Sequence, residues 1–264
     1  IGRQLAVAPD QQVSLTDPDA RSMATSGRGT GMVGYNVQAS VDTEHHLIVA
    51  HEVTNEGHDR SQLTAMAQQT KEVLETSDLK VLADRGYFSG EEIMKCEQAG
   101  VTPLVPKPLT NNSATSGRFD KRDFHYDAKR DRYRCPAGEY AIWRFTSIQN
   151  GMAIRKYWSS ACPKCPIRSD CTTGDYRRIM RWEHEAVIER MQRRLDRMPQ
   201  AGRLRRQTVE HTFGTLKSWM GATHFLTKRL PNVRTEMSLQ VLAYNLKRVI
   251  QIVGVQPLIA AMRA

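Results

Sequence analysis

The order of strand and helix patterns between residues 33 and 105 constrains the fold of this chain more than any other feature. Apolar residues alternate strictly from Val33 to Val41, which predicts a half-buried strand. A helical repeat follows, with Val73 and Leu74 in its expected core face. The predicted order is strand, strand, helix, strand, helix, strand, over Val33–Val41, Leu47–Val53, Leu63–Leu74, Val81–Ala83, Glu91–Ala99 and Val101–Val105. This order predicts an α/β fold in which helices flank a sheet.

An aspartate ends the third predicted strand. Asp84 follows Val81–Ala83, Gly86 supplies a turn, and Ser89 begins a capping-box pattern that opens the next helix. Open α/β sheets place their ligands at the carboxyl ends of parallel strands, so Asp84 is a candidate site residue. The alternative is a turn aspartate that caps its own backbone. Asp59, which precedes an earlier helix, is interpreted as its N-terminal cap.

A charged helix is predicted from Arg206 to Met220. At 100° per residue, Arg206, Glu210 and Lys217 fall within about 40° of each other. An apolar stripe runs beside them through Val209, Phe213, Leu216 and Met220. A carboxylate held between two cations at the edge of a core can bind a metal ion, and the cations can bind phosphates. The alternative is an ordinary charged face with pairs of side chains one turn apart.

Together these segments resemble the DDE transposases of bacterial insertion sequences. Asp84, Gly86 and Tyr87 match the D-x-G-Y motif around the second catalytic aspartate of that family. The segments Gly34–Gln38 and Asp84–Phe88 are similar to a subgroup that carries a cysteine-bearing insertion. The resemblance covers roughly residues 15 to 260. It implies an RNase H-like core, a mixed sheet with flanking helices.

The glutamate helix carries the second part of the resemblance. Arg206, Glu210 and Lys217 match the last three positions of the family signature Y-x2-R-x3-E-x6-K. Arg203 stands where the family usually has tyrosine, which puts the role of that tyrosine in doubt. The resemblance implies that Asp84 and Glu210 are two of three carboxylates that hold two Mg²⁺ ions. It also implies that Arg206 and Lys217 position phosphates while DNA is cleaved and joined.

The first catalytic aspartate of the family is missing from the expected place. The family keeps it on the first strand, usually in an Asp-Gly pair, and this sequence has no Asp-Gly pair. We therefore expect a core without its first strand, in a chain that represents the C-terminal part of the protein. Asp17 and Asp19 are the nearby substitutes, although both flank a proline in a predicted turn. Because a bridging carboxylate is hard to replace, we expect this chain alone not to cleave or join DNA.

Four cysteines cluster between the two halves of the predicted core. They are Cys135, Cys162, Cys165 and Cys171. Thiolates at this spacing suit a tetrahedral Zn²⁺ site, which would stabilise a segment that has little core of its own. The alternatives are free thiols or a remnant that binds no metal. Cys96, outside the cluster, is interpreted as a small buried hydrophobe.

Four regions follow from these patterns. Residues 1–30 are a linker or a remnant of an upstream region, and 31–108 are the first part of the RNase H-like core. Residues 109–180 are a β-rich insertion with a possible zinc ribbon, and 181–264 are C-terminal helices that complete the core. Within this last region we predict a basic helix over Trp182–Leu195 and an apolar one over Leu239–Val253.

The charge of the chain predicts a polyanionic partner. The 264 residues carry a formal net charge of +10 and a sequence pI near 9.6. Neutralised phosphates release counterions, so the basic charge favours a polyanion. The resemblance implies that this partner is DNA, meaning element ends and target, and that the full-length protein is a homo-oligomer. No signal peptide or long apolar span is present in the sequence, which predicts a cytoplasmic protein that does not span a membrane. The resemblance implies that it is associated with the nucleoid. The alternatives are a non-catalytic DNA-binding remnant with structural zinc, or a metal-dependent nuclease on the same fold.

Overall fold

The computed structural model describes residues 12–23, 31–108 and 117–263. It divides into two compact units. The first unit contains the described residues up to Lys107 and those from Arg190 onward, and the second runs from Pro108 to Glu189. Both helices and sheets are present, which confirms the predicted mixed α/β class. In the described part of the chain, no helix is long and apolar enough to cross a membrane.

Three strand pairs form the sheets that are described in the first unit. An antiparallel pair joins β1 to β2, another joins β3 to β4, and β5 lies parallel to β6. The strand bounds are Arg21–Met23 for β1, Met32–Gly34 for β2, Asn36–Val41 for β3, Ile48–Thr54 for β4, Leu79–Leu82 for β5 and Val101–Leu104 for β6. The β3–β4 hairpin and the parallel β5–β6 pair arise from the segments whose alternation or apolar runs predicted strands.

Two helices flank these strands. Helix α1 spans Leu63–Val73 and helix α2 spans Gly90–Gln98. Ser89 caps α2, because its side chain accepts a hydrogen bond from the backbone N–H of Glu92. The prediction that Val73 and Leu74 belong to the core is wrong, since they are 58% and 48% exposed. Helix α1 ends at Val73, so its last apolar residues lie beyond the part that packs on the sheet.

A helical stretch of four segments carries the predicted glutamate. Helix α4 spans Ala201–Arg205, a first π-helical segment spans Arg206–Glu210, helix α5 spans His211–Gly214, and a second π-helical segment spans Thr215–Trp219. Thr208, Thr212 and Leu216 form the buried face of this stretch. Residues four apart lie on one side of a regular α-helix, and the smaller rotation per residue of each π segment keeps them on one side here as well.

The remaining helices begin earlier or later than predicted. Helix α3 spans Glu185–Asp196, and Trp182 belongs to a strand instead. Helix α6 spans Leu230–Val253 and α7 spans Val255–Arg263, so α6 begins well before the predicted Leu239. The early start follows from Pro231, which suits the first turn of a helix. The buried residues of α6 are Val233, Met237, Val241 and Tyr244, which share a core with Ile48 and Val53 of β4.

The second unit is built on a five-stranded antiparallel sheet in the order β11-β10-β9-β8-β7. The strand bounds are His125–Asp127 for β7, Arg132–Arg134 for β8, Tyr140–Gln149 for β9, Met152–Trp158 for β10 and Ile179–Trp182 for β11. Its core joins Phe124, Tyr133, Ala141, Tyr157 and Ile179. Strands β7 and β11 have too few apolar residues in alternation to be recognised from sequence.

Candidate active site

Asp84 lies directly after β5, at the carboxyl end of the parallel β5–β6 pair. Its Oδ1 accepts a hydrogen bond of 2.7 Å from the backbone N–H of Gly86, which caps the short 3₁₀ turn Arg85–Tyr87. Asp84 therefore lies where a ligand-binding carboxylate is expected, and it also caps the turn that follows it. One oxygen of the carboxylate is engaged by the backbone, and this holds the side chain in place.

A second carboxylate faces the same point in space. A Cβ atom at Gly86 would lie 3.0 Å from Oδ1 of Asp84 and 3.2 Å from Oδ2 of Asp59. These two oxygens are therefore separated by at most the sum of those distances. Only a residue without a side chain leaves this space open, which gives a physical reason for glycine in the D-x-G-Y segment.

The predicted capping role of Asp59 is wrong. Helix α1 has Gln62 at its N-cap position, with no side-chain hydrogen bond to the helix. Oδ1 of Asp59 instead accepts hydrogen bonds from Asn36 Nδ2 at 2.8 Å and from Gln38 Nε2 at 2.7 Å. Both donors belong to β3, so the strand turns Asp59 toward Gly86. Sequence reasoning missed this residue, because its donors come from a segment more than twenty positions away.

Tyr87 completes this polar cluster. Its hydroxyl donates a hydrogen bond to Oε1 of Gln38, the residue whose amide nitrogen binds Asp59. Burial raises the pKa of Tyr87, and the negative charges of Asp59 and Asp84 raise it further. The tyrosine therefore stays neutral at physiological pH and acts as a hydrogen-bond donor. Tyr87 is thus a hydrogen-bonded residue of this cluster.

Arginines of the helical stretch line the cavity beside Asp84. This cavity of about 530 Å³ includes Asp84, Gly86, Arg205 and Arg206 in its wall. Arg205 Nη2 also lies 3.3 Å from Oε1 of Glu210. The predicted residues Asp84 and Arg206 thus share one cavity, while Glu210 is joined to that cavity wall through Arg205. Arg205 was not predicted, because regular α-helical spacing pairs Glu210 with Arg206.

Glu210 and Lys217 do not line this cavity. Glu210 ends the first π segment with its side chain 61% exposed, and Lys217 is an exposed residue of the second π segment. The predicted alignment of Arg206, Glu210 and Lys217 assumed a regular 100° rotation per residue, which the π segments change. The carboxylate of Glu210 therefore has Arg205, and not Arg206 or Lys217, as its ion-pair partner.

Asp17 and Asp19 hold the start of helix α6. Asp17 is 8% exposed and accepts a hydrogen bond of 2.7 Å from the Tyr35 hydroxyl. The backbone N–H of Arg229 lies 3.2 Å from both oxygens of Asp17, and the N–H of Leu230 donates to Asp19 at 2.9 Å. Burial raises the pKa of Asp17, but these hydrogen bonds outweigh it and hold the pKa below its ordinary value.

The four clustered cysteines lie around one hollow of the second unit. Its wall includes Cys135, Cys162, Cys165 and Cys171. Burial raises the pKa of Cys171, and the other three thiols raise it further while Arg177 lowers it. Among the described residues, however, no three or more His, Cys, Asp or Glu side chains are arranged to hold a metal ion. This finding applies to the cysteines as it does to the carboxylates around Asp84.

Cys96 stands apart from that hollow, in helix α2. It is fully buried, and its Sγ lies 3.7 Å from the hydroxyl of Thr64. Burial raises the pKa of this thiol to about 11, so it stays protonated. The interpretation of Cys96 as a small buried hydrophobe is confirmed.

Comparison with known proteins identifies the family. No curated protein and no solved structure matches the chain. The family model described as "Transposase DDE domain" matches residues 7–246, which is most of the chain and includes every residue of the Asp84 cavity. The chain therefore belongs to the transposase DDE domain family.

Proposed function

We propose that the protein containing this chain cleaves and joins DNA in a metal-dependent transposition reaction. The family acts on DNA. The single observation that carries the proposal for this site is that Asp59 and Asp84 lie beside Gly86, in a region whose cavity is lined by three arginines. Carboxylates can hold divalent cations, and guanidinium groups can bind phosphate oxygens in a bidentate manner. The presence of both kinds of group in one place supports the proposal.

The donor set around Asp84 suits Mg²⁺. Hard divalent cations prefer carboxylate oxygens, and Asp84 and Asp59 direct one oxygen each toward the space that Gly86 leaves open. When bound, the metal would polarise a phosphate oxygen and assist formation of the attacking oxygen nucleophile. Asp84, Asp59 and Glu210 are the residues that we assign to holding it. Glu210 would join them by exchanging its contact with Arg205 for one with the metal.

The neighbouring groups have separate roles in this proposal. Arg205 and Arg206 bind phosphate in the cavity, and Lys217 contacts the DNA backbone outside it. Gln38 holds the Asp59 carboxylate through one end of its amide and accepts the Tyr87 hydroxyl with the other. This network keeps the two carboxylates oriented when no metal compensates their charges.

A wider assignment follows from the same resemblance. We infer that the protein is the transposase of a bacterial insertion sequence of the subgroup with a cysteine-bearing insertion. It would act as a homo-oligomer on the element ends and the target, in the cytoplasm with the nucleoid. The basic composition of the chain supports DNA as the partner, because a net charge of +10 favours binding to a polyanion.

The experiment pairs a strand-transfer assay of the protein containing this chain with Mn²⁺ binding by the chain itself. Asp84→Asn and Asp59→Asn should each weaken Mn²⁺ binding and activity by about 10- to 100-fold, the range seen when a metal site loses a supporting group. Asp78→Asn is the matched control, since Asp78 is an exposed carboxylate just before β5. Mn²⁺ binding that is unchanged in Asp59→Asn would remove Asp59 from the proposal, and activity that is unchanged in Asp84→Asn would refute it.

A further inference from the structure

One face of the five-stranded sheet exposes apolar and aromatic side chains. Ala141 and Tyr157 point into the core of the second unit. Phe145 pairs with Lys156 across the β9–β10 ladder, and Lys156 and Trp158 alternate with Tyr157 along β10, so these three side chains lie on the opposite face. The exposed residues of this face include Tyr140 at 41%, Ile142 at 44%, Phe145 at 44% and Met180 at 54%. Exposed apolar surface of this kind marks an interaction site in a folded protein.

Three aromatic rings form a row across this face, which we call the aromatic row: Phe145, Trp158 and Tyr176. The centroids of Phe145 and Trp158 are 5.9 Å apart, and those of Trp158 and Tyr176 are 6.3 Å apart. The rings come from β9, from the end of β10 and from the segment before β11. Packing of the core does not require them, because the core cluster of the unit lies on the other side of the sheet.

Three cations surround the aromatic row. Lys156 Nζ lies 5.1 Å from the ring centroid of Phe145, and the Cζ atoms of Arg144 and Arg178 lie 5.6 and 5.8 Å from that of Trp158. Within the described part of the chain, none of these cations forms an ion pair with a carboxylate. The face therefore combines aromatic rings with positive charge that no described carboxylate pairs with.

We propose that this face binds unpaired nucleotides of DNA, whose bases stack on the aromatic row while Arg144, Lys156 and Arg178 contact the phosphates. Exposed rings within a basic surface are the arrangement that binds single strands without reading their sequence. Paired bases in a duplex are already stacked on their neighbours, so a duplex offers only phosphates to such a face. Cations alone would bind the phosphates of a duplex equally well. The exposed rings are the feature that favours a single strand.

The inference rests on the proposed function for its biological setting, because DNA cleavage and joining produce strand ends that can unpair. It names the form of the substrate that the second unit would hold. Binding to the aromatic row needs no metal, so it can be measured in EDTA, where the carboxylates of the first unit do not contribute. Failure of one proposal is therefore distinguishable from failure of the other.

The test measures the affinity of the chain for a fluorescent dT20 strand and for a duplex of equal length by anisotropy in EDTA. Phe145→Ala and Trp158→Ala should each weaken binding of the single strand by about tenfold, and should change duplex binding by less than twofold. Trp158→Phe keeps a ring and should retain the affinity, while it removes the part of the tryptophan quenching by the strand that comes from Trp158. Lys156→Gln should reduce the salt dependence of single-strand binding.

Two matched controls lie outside the face. Trp143 is 49% exposed but pairs with Tyr157, which places it on the opposite side of the sheet, so Trp143→Ala should leave affinity unchanged. Arg130 is an exposed cation between β7 and β8, and Arg130→Gln should not alter the salt dependence. Equal losses for duplex and single strand, or full affinity in Phe145→Ala, would each overturn the proposal. Phe145 is exposed enough that its replacement tests the idea even if Trp158→Ala does not fold.

Discussion

At the scale of single residues, the D-x-G-Y segment is explained by the space that its glycine leaves. Gly86 donates its backbone N–H to Asp84, and its missing side chain keeps the point between Asp84 and Asp59 open. The hydroxyl of Tyr87 then donates a hydrogen bond to Gln38 of β3. The three residues have different roles. Asp84 supplies a carboxylate, Gly86 leaves space beside it, and Tyr87 links the segment to β3.

Gly86→Ala tests that explanation. The added methyl group would lie 3.0 and 3.2 Å from two carboxylate oxygens, closer than ordinary van der Waals contact, so one carboxylate must move. We expect Mn²⁺ affinity to fall by about tenfold or more, measured by calorimetry, because the orientation of the ligands is lost. Gly214→Ala is the control, since a Cβ at Gly214 meets nothing within 4 Å. Equal Mn²⁺ affinity in Gly86→Ala and wild type would show that the two carboxylates do not share a metal.

Asp17 supports a prediction about acid stability. The pKa of Asp17 is lower in the folded protein than its ordinary value. The ionised carboxylate therefore stabilises the fold at pH values above the unfolded pKa of about 3.9. This stabilisation is lost as the pH falls through the folded pKa. Asp17→Ala should lower the free energy of unfolding by about 1–3 kcal/mol at pH 7, since three N–H or O–H donors lose their acceptor. Urea unfolding should show a smaller difference between variant and wild type at pH 3. A difference that is the same at both pH values would contradict the assigned pKa.

At the scale of elements, the glutamate stretch combines one buried face with two π segments. Thr208 and Thr212 bind the carbonyl oxygens four residues before them, and both are buried. Thr208, Thr212 and Leu216, spaced four residues apart, all face the core of the first unit. The π segments direct Glu210 toward Arg205. Such irregular turns often occur at functional sites.

Thr212 offers a measurement of this packing. Its hydroxyl, fully buried, contacts the Thr208 carbonyl at 3.0 Å and the Tyr244 hydroxyl at 3.2 Å. Thr212→Val keeps the shape but removes both contacts, so we expect unfolding to require about 1–2 kcal/mol less free energy. Thr215→Val is the matched control, because Thr215 binds only the His211 carbonyl and is more exposed. Equal effects of the two substitutions in thermal or urea unfolding would argue against a special role of this face.

Zinc at the cysteine hollow stays a prediction. Four thiols around one hollow could close on a tetrahedral ion by side-chain rotation, although the described residues show no formed metal site. We expect about one zinc per chain by elemental analysis of protein purified without added metal. Cys162→Ser with Cys165→Ser should lower the thermal stability of the second unit. A metal-free protein with full stability would leave the thiols as free cysteines.

At the scale of the whole molecule, the net charge of +10 predicts how the chain binds duplex DNA. Each phosphate that a Lys or Arg neutralises releases counterions, so the logarithm of affinity should fall linearly with the logarithm of salt concentration, by about 0.9 per phosphate contact. Anisotropy titrations between about 50 and 200 mM salt measure this slope, within the range where such losses are large. An affinity that does not change with salt would exclude backbone charge as the main source of binding.

The sequence by itself determined the order of strands and helices from β3 to β6 and the position of Asp84 at a strand end. These features are local, because alternation and helical spacing record which face of each element is buried. Its motifs also led to the transposase DDE family, which the family comparison confirmed.

Only the tertiary structure decided which side chains meet. Asp59 reaches the Asp84 region through donors on β3, Glu210 pairs with Arg205 after a π turn, and Asp17 contacts the start of helix α6. Each contact joins segments far apart in sequence or depends on a helical irregularity that has no periodic signature. Periodicity in the sequence indicates which face of an element is buried. Which side chains of two buried faces contact each other depends on how the elements pack, and that packing is determined by long-range contacts.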